Sequence, residues 1–292
     1  MFETILAPLD GSQLAEQAIP YITKLAQQFD SEVTIMGVCD SDQTPEGEAC
    51  RLSINNQAEL LKIATLPAKV TVKPVVITGN AAQQIIDYAE KNNFGLLILT
   101  SHGRSGLAPW SVGSTVQKIL HLHTTVPLLV IKAKETPEKQ EDIFGHILLP
   151  LDRSQLGESA VPYIIDLTKK FESEVTLFHV IEEGKHIHTI GGLNYVRFLD
   201  QDLIRAKIES EKYLNEVASR FLGTKARIVN EVRTGEPARE ILKFVSQQEH
   251  CLLAIASHGH SGINVWSLGS VAYKISQSVN QPVLLIKIQT TI

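Results

Sequence analysis

Two glycine-bearing segments of the chain carry the residue types that can hold a phosphate group. The first is SHGRSG at residues 101–106, followed by Gly-Ser at 113–114; the second is SHGHSG at 257–262, followed by Gly-Ser at 269–270. Glycine lets backbone N–H groups approach an anion closely, and the start of a helix adds free N–H donors and roughly half a positive charge. A lone glycine usually marks a turn, but the same arrangement occurring twice favours anion binding.

An aspartate near the start of each half of the chain could complete such a site. Asp10 lies in PLDGS at residues 8–12, and Asp152 lies in PLDRS at residues 150–154. A carboxylate there could accept a hydrogen bond from a ribose hydroxyl, or hold a divalent cation that bridges phosphates. Capping of the following helix explains Asp10 equally well, because aspartate is among the best helix caps. Both interpretations of Asp10 stay open on the sequence.

The two sets of residues recur because the chain is a tandem duplication. Residues 5–38 and 147–180 are identical at 20 of 34 positions, with an offset of 142. Residues 96–119 and 252–275 are identical at 13 of 24 positions, with an offset of 156. A period of this length is too long for a solenoid, so each repeat is expected to be a whole domain.

The change of offset and the composition between the repeats predict the domain boundaries. The second repeat gains 14 residues, and we expect this insertion near residues 182–202. The charged segment 134–142 has no apolar periodicity and is typical of a linker. With a boundary near residue 139, the expected domains are residues 1–138 and 143–292.

Each repeat alternates apolar strand patterns with helical ones. In the first repeat the predicted strands are Thr4–Leu9, Glu32–Val38, Lys69–Ile77, Leu96–Leu99 and Pro127–Lys132. The predicted helices are Gln13–Phe29, Gln57–Leu66, Ala81–Asn92 and Val112–Leu122. This alternation indicates a parallel sheet with helices on both faces. Ligands of such sheets bind beyond the carboxyl ends of the strands, where the strand order reverses.

The spacing Gly103-x9-Gly113-Ser114, with a strand and Ser-His before it, resembles the nucleotide-binding motif G-x2-G-x9-G-[S/T] of universal stress proteins. So does Gly259-x9-Gly269-Ser270. The resemblance covers nearly all of the chain as two tandem domains. It implies an α/β fold: two doubly wound, open, parallel five-stranded sheets with strand order 3-2-1-4-5. It also implies ATP, with or without Mg²⁺, in the clefts.

The family resemblance also implies which residues contact the nucleotide. It places Asp10 and Asp152 near the ribose and the metal, and the backbone of Val38 and Val180 near adenine. The complete set of expected binding residues is Pro8, Asp10, Val38, Gly103, Arg104, Gly113, Ser114 and Thr115 in the first repeat, and Pro150, Asp152, Val180, Gly259, His260, Gly269, Ser270 and Val271 in the second. Thr100 and Ala256 replace the first motif glycine, and the smaller alanine predicts a more permissive second cleft.

Composition and missing motifs exclude several classes of protein. With 43% hydrophobic and 20% charged residues, the chain is not disordered, and its net charge of −5 disfavours a nucleic-acid or acidic-lipid surface. GxxxxGK[ST], GxGxxG after a strand and GxSxG are all absent, which excludes P-loop, Rossmann and α/β-hydrolase sites. Three cysteines without a CxxC pair are typical of a reducing compartment. No apolar run is long enough for a membrane span, so we expect a cytoplasmic protein.

These features favour a stress-response protein that binds an adenine nucleotide and acts as a regulatory or sensor module. The alternatives are a nucleotide-free dimerising scaffold and a slow ATPase. No catalytic residue is expected: the neighbours in Ser101-His102 and in Ser257-His258 should point apart on an extended segment, so neither serine could use its histidine as a base. Positioning of the loop backbone explains both histidines better. The resemblance implies that the last strands, Pro127–Lys132 and Pro282–Lys287, pair antiparallel within the chain as a pseudo-dimer. A homodimer of whole chains is also expected.

Overall fold

The computed structural model describes most of the chain. The residues it does not describe are 42–43, 69, 104–105, 107–111, 123, 137–141, 183–187, 191–192, 196–199, 249, 260–267 and 288–292, together with the side chains of residues 188–190, 193–195 and 200. Arg104, His260 and the boundary near residue 139 therefore lie outside the described residues.

Ten strands, five from each repeat, form one sheet. In the first repeat they are β1 Thr4–Pro8, β2 Glu32–Cys39, β3 Val72–Thr78, β4 Leu96–Thr100 and β5 Leu128–Ile131. In the second they are β6 His146–Pro150, β7 Glu174–Glu182, β10 Arg227–Gly235, β11 Leu252–Ala256 and β12 Val283–Ile286. The order across the sheet is β3-β2-β1-β4-β5-β12-β11-β6-β7-β10. The predicted order 3-2-1-4-5 is confirmed in both repeats.

Eight helices cover the two faces of the sheet in the described part of the chain. They are α1 Ile19–Phe29, α2 Pro45–Ala64, α3 Ala81–Lys91, α4 Ser114–His121, α5 Val161–Lys170, α6 Asp200–Ser219, α7 Pro237–Val245 and α8 Ser270–Ser278. Short 3-10 turns at Ala15–Ala18 and Gly157–Ala160 precede α1 and α5.

Two helix starts differ from the sequence prediction. The helix expected from Gln13 begins as a 3-10 turn, and the α-helix starts only at Ile19, with a proline in its first turn. Proline lacks an N–H and suits that position. The helix expected from Gln57 begins at Pro45 instead, because the Thr44 side chain accepts a hydrogen bond from the Gly47 N–H at 3.2 Å and caps it.

The two repeats meet where β5 and β12 pair antiparallel. Leu128, Leu129 and Val130 of β5 lie opposite Leu285, Leu284 and Val283 of β12, respectively. This confirms the predicted pairing within one chain. An apolar strand left at the edge of a sheet would pair with other chains. Here each repeat covers the last strand of the other.

Aromatic side chains extend the contact between the repeats on one face of the sheet. The rings of Phe2 and Tyr163 lie 6.2 Å apart, and those of Tyr21 and Phe144 lie 6.3 Å apart. Phe144 also packs on Phe171 at 4.8 Å. Each such pair contributes about 0.5–1.5 kcal/mol beyond the area it buries. The repeats therefore share a core as well as a sheet.

A small antiparallel hairpin lies in the segment where the insertion is expected. Its strands, β8 His188–Ile190 and β9 Leu193–Tyr195, follow β7 and precede α6. The corresponding connection in the first repeat passes from β2 to α2 without described strands. Among the described residues, no helix is both long enough and apolar enough to cross a bilayer.

Candidate functional site

A cleft of about 320 Å³ opens in the first repeat at the carboxyl ends of β1 and β4. The strand order reverses here, because β2 and β3 extend to one side of β1 while β4 and β5 extend to the other. This is where doubly wound sheets bind ligands. The described residues expected to bind a nucleotide in this repeat all line the cleft: Pro8, Asp10, Val38, Gly103, Gly113, Ser114 and Thr115.

The start of α4 faces this cleft without a side-chain cap. Gly113 is the N-cap residue and has no side chain, and none of the described side chains accepts a hydrogen bond from the first turn. By contrast, the side chains of Thr44, Asn80 and Glu236 cap α2, α3 and α7, respectively. The first N–H groups of a helix have no partner within the helix. Those at the start of α4 are therefore available to an anion in the cleft.

Gly113 is held close to the loop that follows β4. Its N–H donates to the Ser101 carbonyl oxygen at 2.7 Å. A Cβ at Gly113 would lie 2.7 Å from the same oxygen, so only glycine permits this approach. The third motif glycine thus sets the distance between the loop and the helix start.

Asp10 contributes both to a turn and to the cleft wall. Its Oδ1 accepts hydrogen bonds from the Ser12 N–H at 3.0 Å and from the Ser12 hydroxyl at 2.6 Å. The Ser12 Oγ in turn accepts from the Ala15 N–H at 3.2 Å, so the serine caps the following turn. The Asp10 Oδ2 lies against Gly103, where a Cβ would overlap it. The aspartate therefore explains why a glycine stands at position 103.

His102 lines the cleft and was missed as a site residue by the sequence prediction, which assigned it only a backbone role. The side chain is 8% exposed, and its Nε2 has no hydrogen-bond partner among the described residues. Its Nδ1 lies 3.0 Å from the Ser101 Oγ, which accepts from the Ala133 N–H at 3.1 Å. The Ser101 Oγ has two lone pairs, so it can accept from the Ala133 N–H and either donate to Nδ1 or accept from an Nδ1–H. Burial, and next the charge of Lys132, lower the pKa of His102, so the ring is mostly neutral at pH 7.

The expectation that serine and histidine point apart is wrong. Ser101 and His102 are in contact, and so are Ser257 and His258, at 3.0 Å from Oγ to Nδ1. The chain turns after β4, where the Thr100 hydroxyl donates to the His102 carbonyl at 2.9 Å. The contact still does not make a nucleophile, because Ser101 is 1% exposed and its hydroxyl is already engaged.

Apolar side chains also line the cleft. Pairing of β1 with β2 ends at Pro8 and Met36, so Val38 lies two residues beyond the last β1 partner. The apolar walls are formed by Leu9, Met36, Ile85, Leu99 and Ile119. These residues have ordinary core identities, and nothing in their sequence pattern separates them from the rest of the core. The cleft thus combines apolar side chains with a group of N–H donors.

The second repeat places its expected residues in the same arrangement. The Gly269 N–H donates to the Ser257 carbonyl at 2.9 Å, and Gly269 starts α8 without a side-chain cap. A Cβ at Gly259 would overlap the Asp152 carboxylate. Pro150 ends β6, Val180 lies in β7, and Ser270 and Val271 begin α8.

One substitution changes the apolar wall of the second cleft. Phe178 lies opposite Pro150 in the register, as Met36 lies opposite Pro8 in the first repeat. Phe178 is fully buried, and its ring lies 5.1 Å from that of Phe244. Ala256, which is smaller than Thr100, was expected to enlarge the second cleft. The Phe178 ring is larger than the Met36 side chain and would reduce that gain. The more permissive second cleft stays a prediction.

Comparison with known proteins agrees with the duplicated fold. The sequence profile described as the universal stress protein family matches residues 1–132 and 144–287. The chain belongs to the universal stress protein family. A universal stress protein of Mycolicibacterium smegmatis is 22% identical over 97% of this chain and 96% of its own length. Universal stress protein YxiE of Bacillus subtilis is 28% identical over 50% of this chain and all of its own length. YxiE therefore corresponds to one repeat.

A solved structure also matches both repeats of this tandem universal stress protein together. The universal stress protein of Archaeoglobus fulgidus superposes with a TM-score of 0.66 at 17% identity, covering 98% of this chain and 99% of its own. At this identity the likeness concerns the fold alone.

The metal sites predicted at Asp10 and at Asp152 would each have a single carboxylate ligand from the protein. In the part of the chain that the structure describes, no group of three or more His, Cys, Asp or Glu side chains could hold a metal ion. Mg²⁺ keeps several water ligands and is commonly bound through one or two carboxylates plus substrate phosphates. The donor set of this universal stress protein therefore suits a cation that arrives with a nucleotide, not a resident one.

Proposed function

We propose that this universal stress protein binds an adenine nucleotide, ATP with or without Mg²⁺, in the cleft of the first repeat, and a second nucleotide in the second repeat. The observation that carries the proposal is that the start of α4, which no described side chain caps, lines a cleft together with apolar side chains. A nucleotide has the matching polarity, with an anionic phosphate chain at one end and a flat base at the other.

Five described cleft residues have a role in this proposal. The N–H groups of Ser114 and Thr115 would receive the phosphates, together with the His102 Nε2–H. Asp10 would accept from a ribose hydroxyl, and Val38 would lie beside adenine. Bound Mg²⁺ would supply charge neutralisation of the phosphates, with Asp10 as its protein ligand.

We further propose that the protein is a regulatory or sensor module, with at most slow ATP hydrolysis. A fast hydrolase needs a base to activate water. Burial lowers the pKa of His102, its Nε2 is buried, and the Asp10 Oδ1 accepts two hydrogen bonds from Ser12. Neither group is arranged as a general base.

The nucleotide content of the purified protein tests the proposal. The protein is denatured, and the supernatant is separated by ion exchange with mass detection. We expect one or two adenine nucleotides per chain. Gly103→Val should remove the one in the first cleft and Gly259→Val the one in the second, so each variant is the matched control of the other. If nothing is released, and titration with Mg·ATP gives no heat, the proposal is wrong and a nucleotide-free scaffold is favoured.

The proposal includes a homodimer of whole chains in the cytoplasm. Since β5 and β12 already cover each other, a dimer of chains must use another surface. All three cysteines, Cys39, Cys50 and Cys251, lie among the described residues and none forms a disulfide, which supports a reducing compartment. Light scattering during gel filtration gives the mass of the assembly. A single-chain mass at micromolar concentration would refute the dimer.

A further inference from the structure

Two partly buried lysines reach from one repeat to the other. Lys132 follows β5 in the first repeat, and its Nζ donates to the Ser276 carbonyl of α8 at 2.7 Å. Lys287 follows β12 in the second repeat, and its Nζ donates to the carbonyls of Leu120 and Leu122, at the end of α4, at 2.8 and 3.3 Å. Each lysine therefore reaches the last turn of a helix that belongs to the other repeat.

The last turn of a helix is where a cation is most favourable. Its final carbonyl groups have no partner within the helix, and they carry the negative end of the helix dipole. Burial lowers the pKa of both Lys132 and Lys287 to about 8, so both side chains are mostly protonated at neutral pH. A buried ammonium group requires hydrogen-bond acceptors, and the helix carbonyls of the opposite repeat supply them.

The two helices that receive these lysines are the ones whose other ends form the clefts. α4 starts at the first cleft, and α8 starts at its counterpart. Each helix has only eight or nine residues. A short helix fixed at its last turn holds its first turn in place as well. The His121 and Tyr273 rings, 5.8 Å apart, add a direct contact between α4 and α8.

Each lysine is also joined to the cleft of its own repeat. Ile131 precedes Lys132 and accepts from the Ser101 N–H at 2.7 Å; Ile286 precedes Lys287 and accepts from the Ser257 N–H at 2.7 Å. Backbone hydrogen bonds and one side chain thus connect the loop of one cleft to the helix of the other. The connection is reciprocal.

We propose that Lys287 and Lys132 are positioning residues for the clefts of the opposite repeats, so that ligand affinity in the first cleft depends on a side chain of the second repeat. The inference rests on the proposed nucleotide binding. Lys287 fixes the end of α4 and thereby the N–H groups at its start. Lys132 does the same for α8.

The first test measures affinity in one cleft at a time. Gly259→Val closes the second cleft, and in this background Mg·ATP is titrated calorimetrically into the protein with and without Lys287→Met. Methionine keeps the apolar stem and removes the ammonium group. We expect binding in the first cleft to weaken roughly three- to tenfold. Lys287→Arg should restore most of the affinity. Lys169→Met is the control, because Lys169 is an exposed lysine of the same repeat that pairs with Asp166.

The second test does not depend on a nucleotide. Hydrogen exchange followed by mass spectrometry should show faster exchange in the last turn of α4 in Lys287→Met, and unchanged exchange in Lys169→Met and Lys287→Arg. Unchanged exchange in α4 overturns the inference even if nucleotides bind. Faster exchange with unchanged affinity shows that the lysine holds the helix without positioning the ligand, which also overturns it. If no variant binds nucleotide, the proposed function fails and the ligand role of Lys287 fails with it, while the exchange data still report whether α4 is held.

Discussion

The Asp10 carboxylate fills the space in the first cleft that a side chain at position 103 would need. A Cβ at position 103 would overlap the Asp10 Oδ2, so Gly103→Ala must displace the carboxylate. Displacement breaks the two hydrogen bonds that Oδ1 accepts from Ser12. Bonds to a charged group contribute about 1.5–3 kcal/mol each when buried, and less at a half-exposed side chain such as this one. We expect Gly103→Ala to lower the free energy of unfolding by ~2 kcal/mol.

A double-mutant cycle separates this cause from others. Asp10→Ala removes the carboxylate and leaves room for the new methyl group. The double variant should therefore be about 1–2 kcal/mol more stable than the sum of the single variants predicts. Urea unfolding of the nucleotide-free full chain, followed by circular dichroism, gives the four free energies. The matched cycle of Asp152 and Gly259, which have the same overlap, should give the same sign.

Additive effects in both cycles, within about 0.5 kcal/mol, would refute the reasoning. The glycine would then be required by the approach of a ligand and not by the aspartate.

Three further outcomes are expected. His102→Gln, which keeps an N–H near the Nε2 position, should bind ATP within a few-fold of the unmodified protein in calorimetry. His102→Phe should bind ATP about tenfold more weakly. Equal ATP affinities of the two variants would show that His102 is not part of the site. Phe178→Met should strengthen binding in the second cleft, measured with the first closed by Gly103→Val, and lower stability by ~1 kcal/mol; unchanged affinity would show that the ring does not limit the cleft. Because burial lowers the pKa of Lys287 to about 8, the unfolded chain binds more protons above that pH. The stability of the unmodified protein relative to Lys287→Met should therefore rise by about 1–3 kcal/mol between pH 7.5 and 10 in urea unfolding, and a flat difference would contradict the lowered pKa.

Much of the fold could be predicted because the pattern of strands and helices occurs twice in the sequence. The strand patterns are nearly continuous apolar runs, as buried parallel strands require, and the family resemblance supplied the strand order. The first cleft brings together every described residue that the motif spacing singled out there. This prediction was possible because a close approach of two backbone segments requires glycine, and glycines at a fixed spacing can be recognised in a sequence.

The missed features depend on contacts between residues far apart in the chain. Lys132 and Lys287 look like ordinary charged residues after a strand, and only the paired repeats bring them to helix ends. His102 was given a backbone role because the turn that joins it to Ser101 was not foreseen. The start of α2 is a different case. Thr44-Pro45 is a typical helix start in the sequence, but the helix was predicted only from the apolar periodicity, which begins at Gln57.

The antiparallel pairing of β5 with β12 has a consequence for how the two halves can change. A linker of a few residues keeps the two halves at a high effective concentration, so their association does not depend on how much protein is present. A symmetric dimer of one repeat must have two equal clefts, because every substitution appears in both. Covalent duplication removes that constraint. Phe178 can stand where Met36 stands, and Arg153 can adopt the positive φ of 66° that Gly11 adopts at 79°, without altering the other half. One chain can thus carry two unequal clefts in a fixed one-to-one ratio.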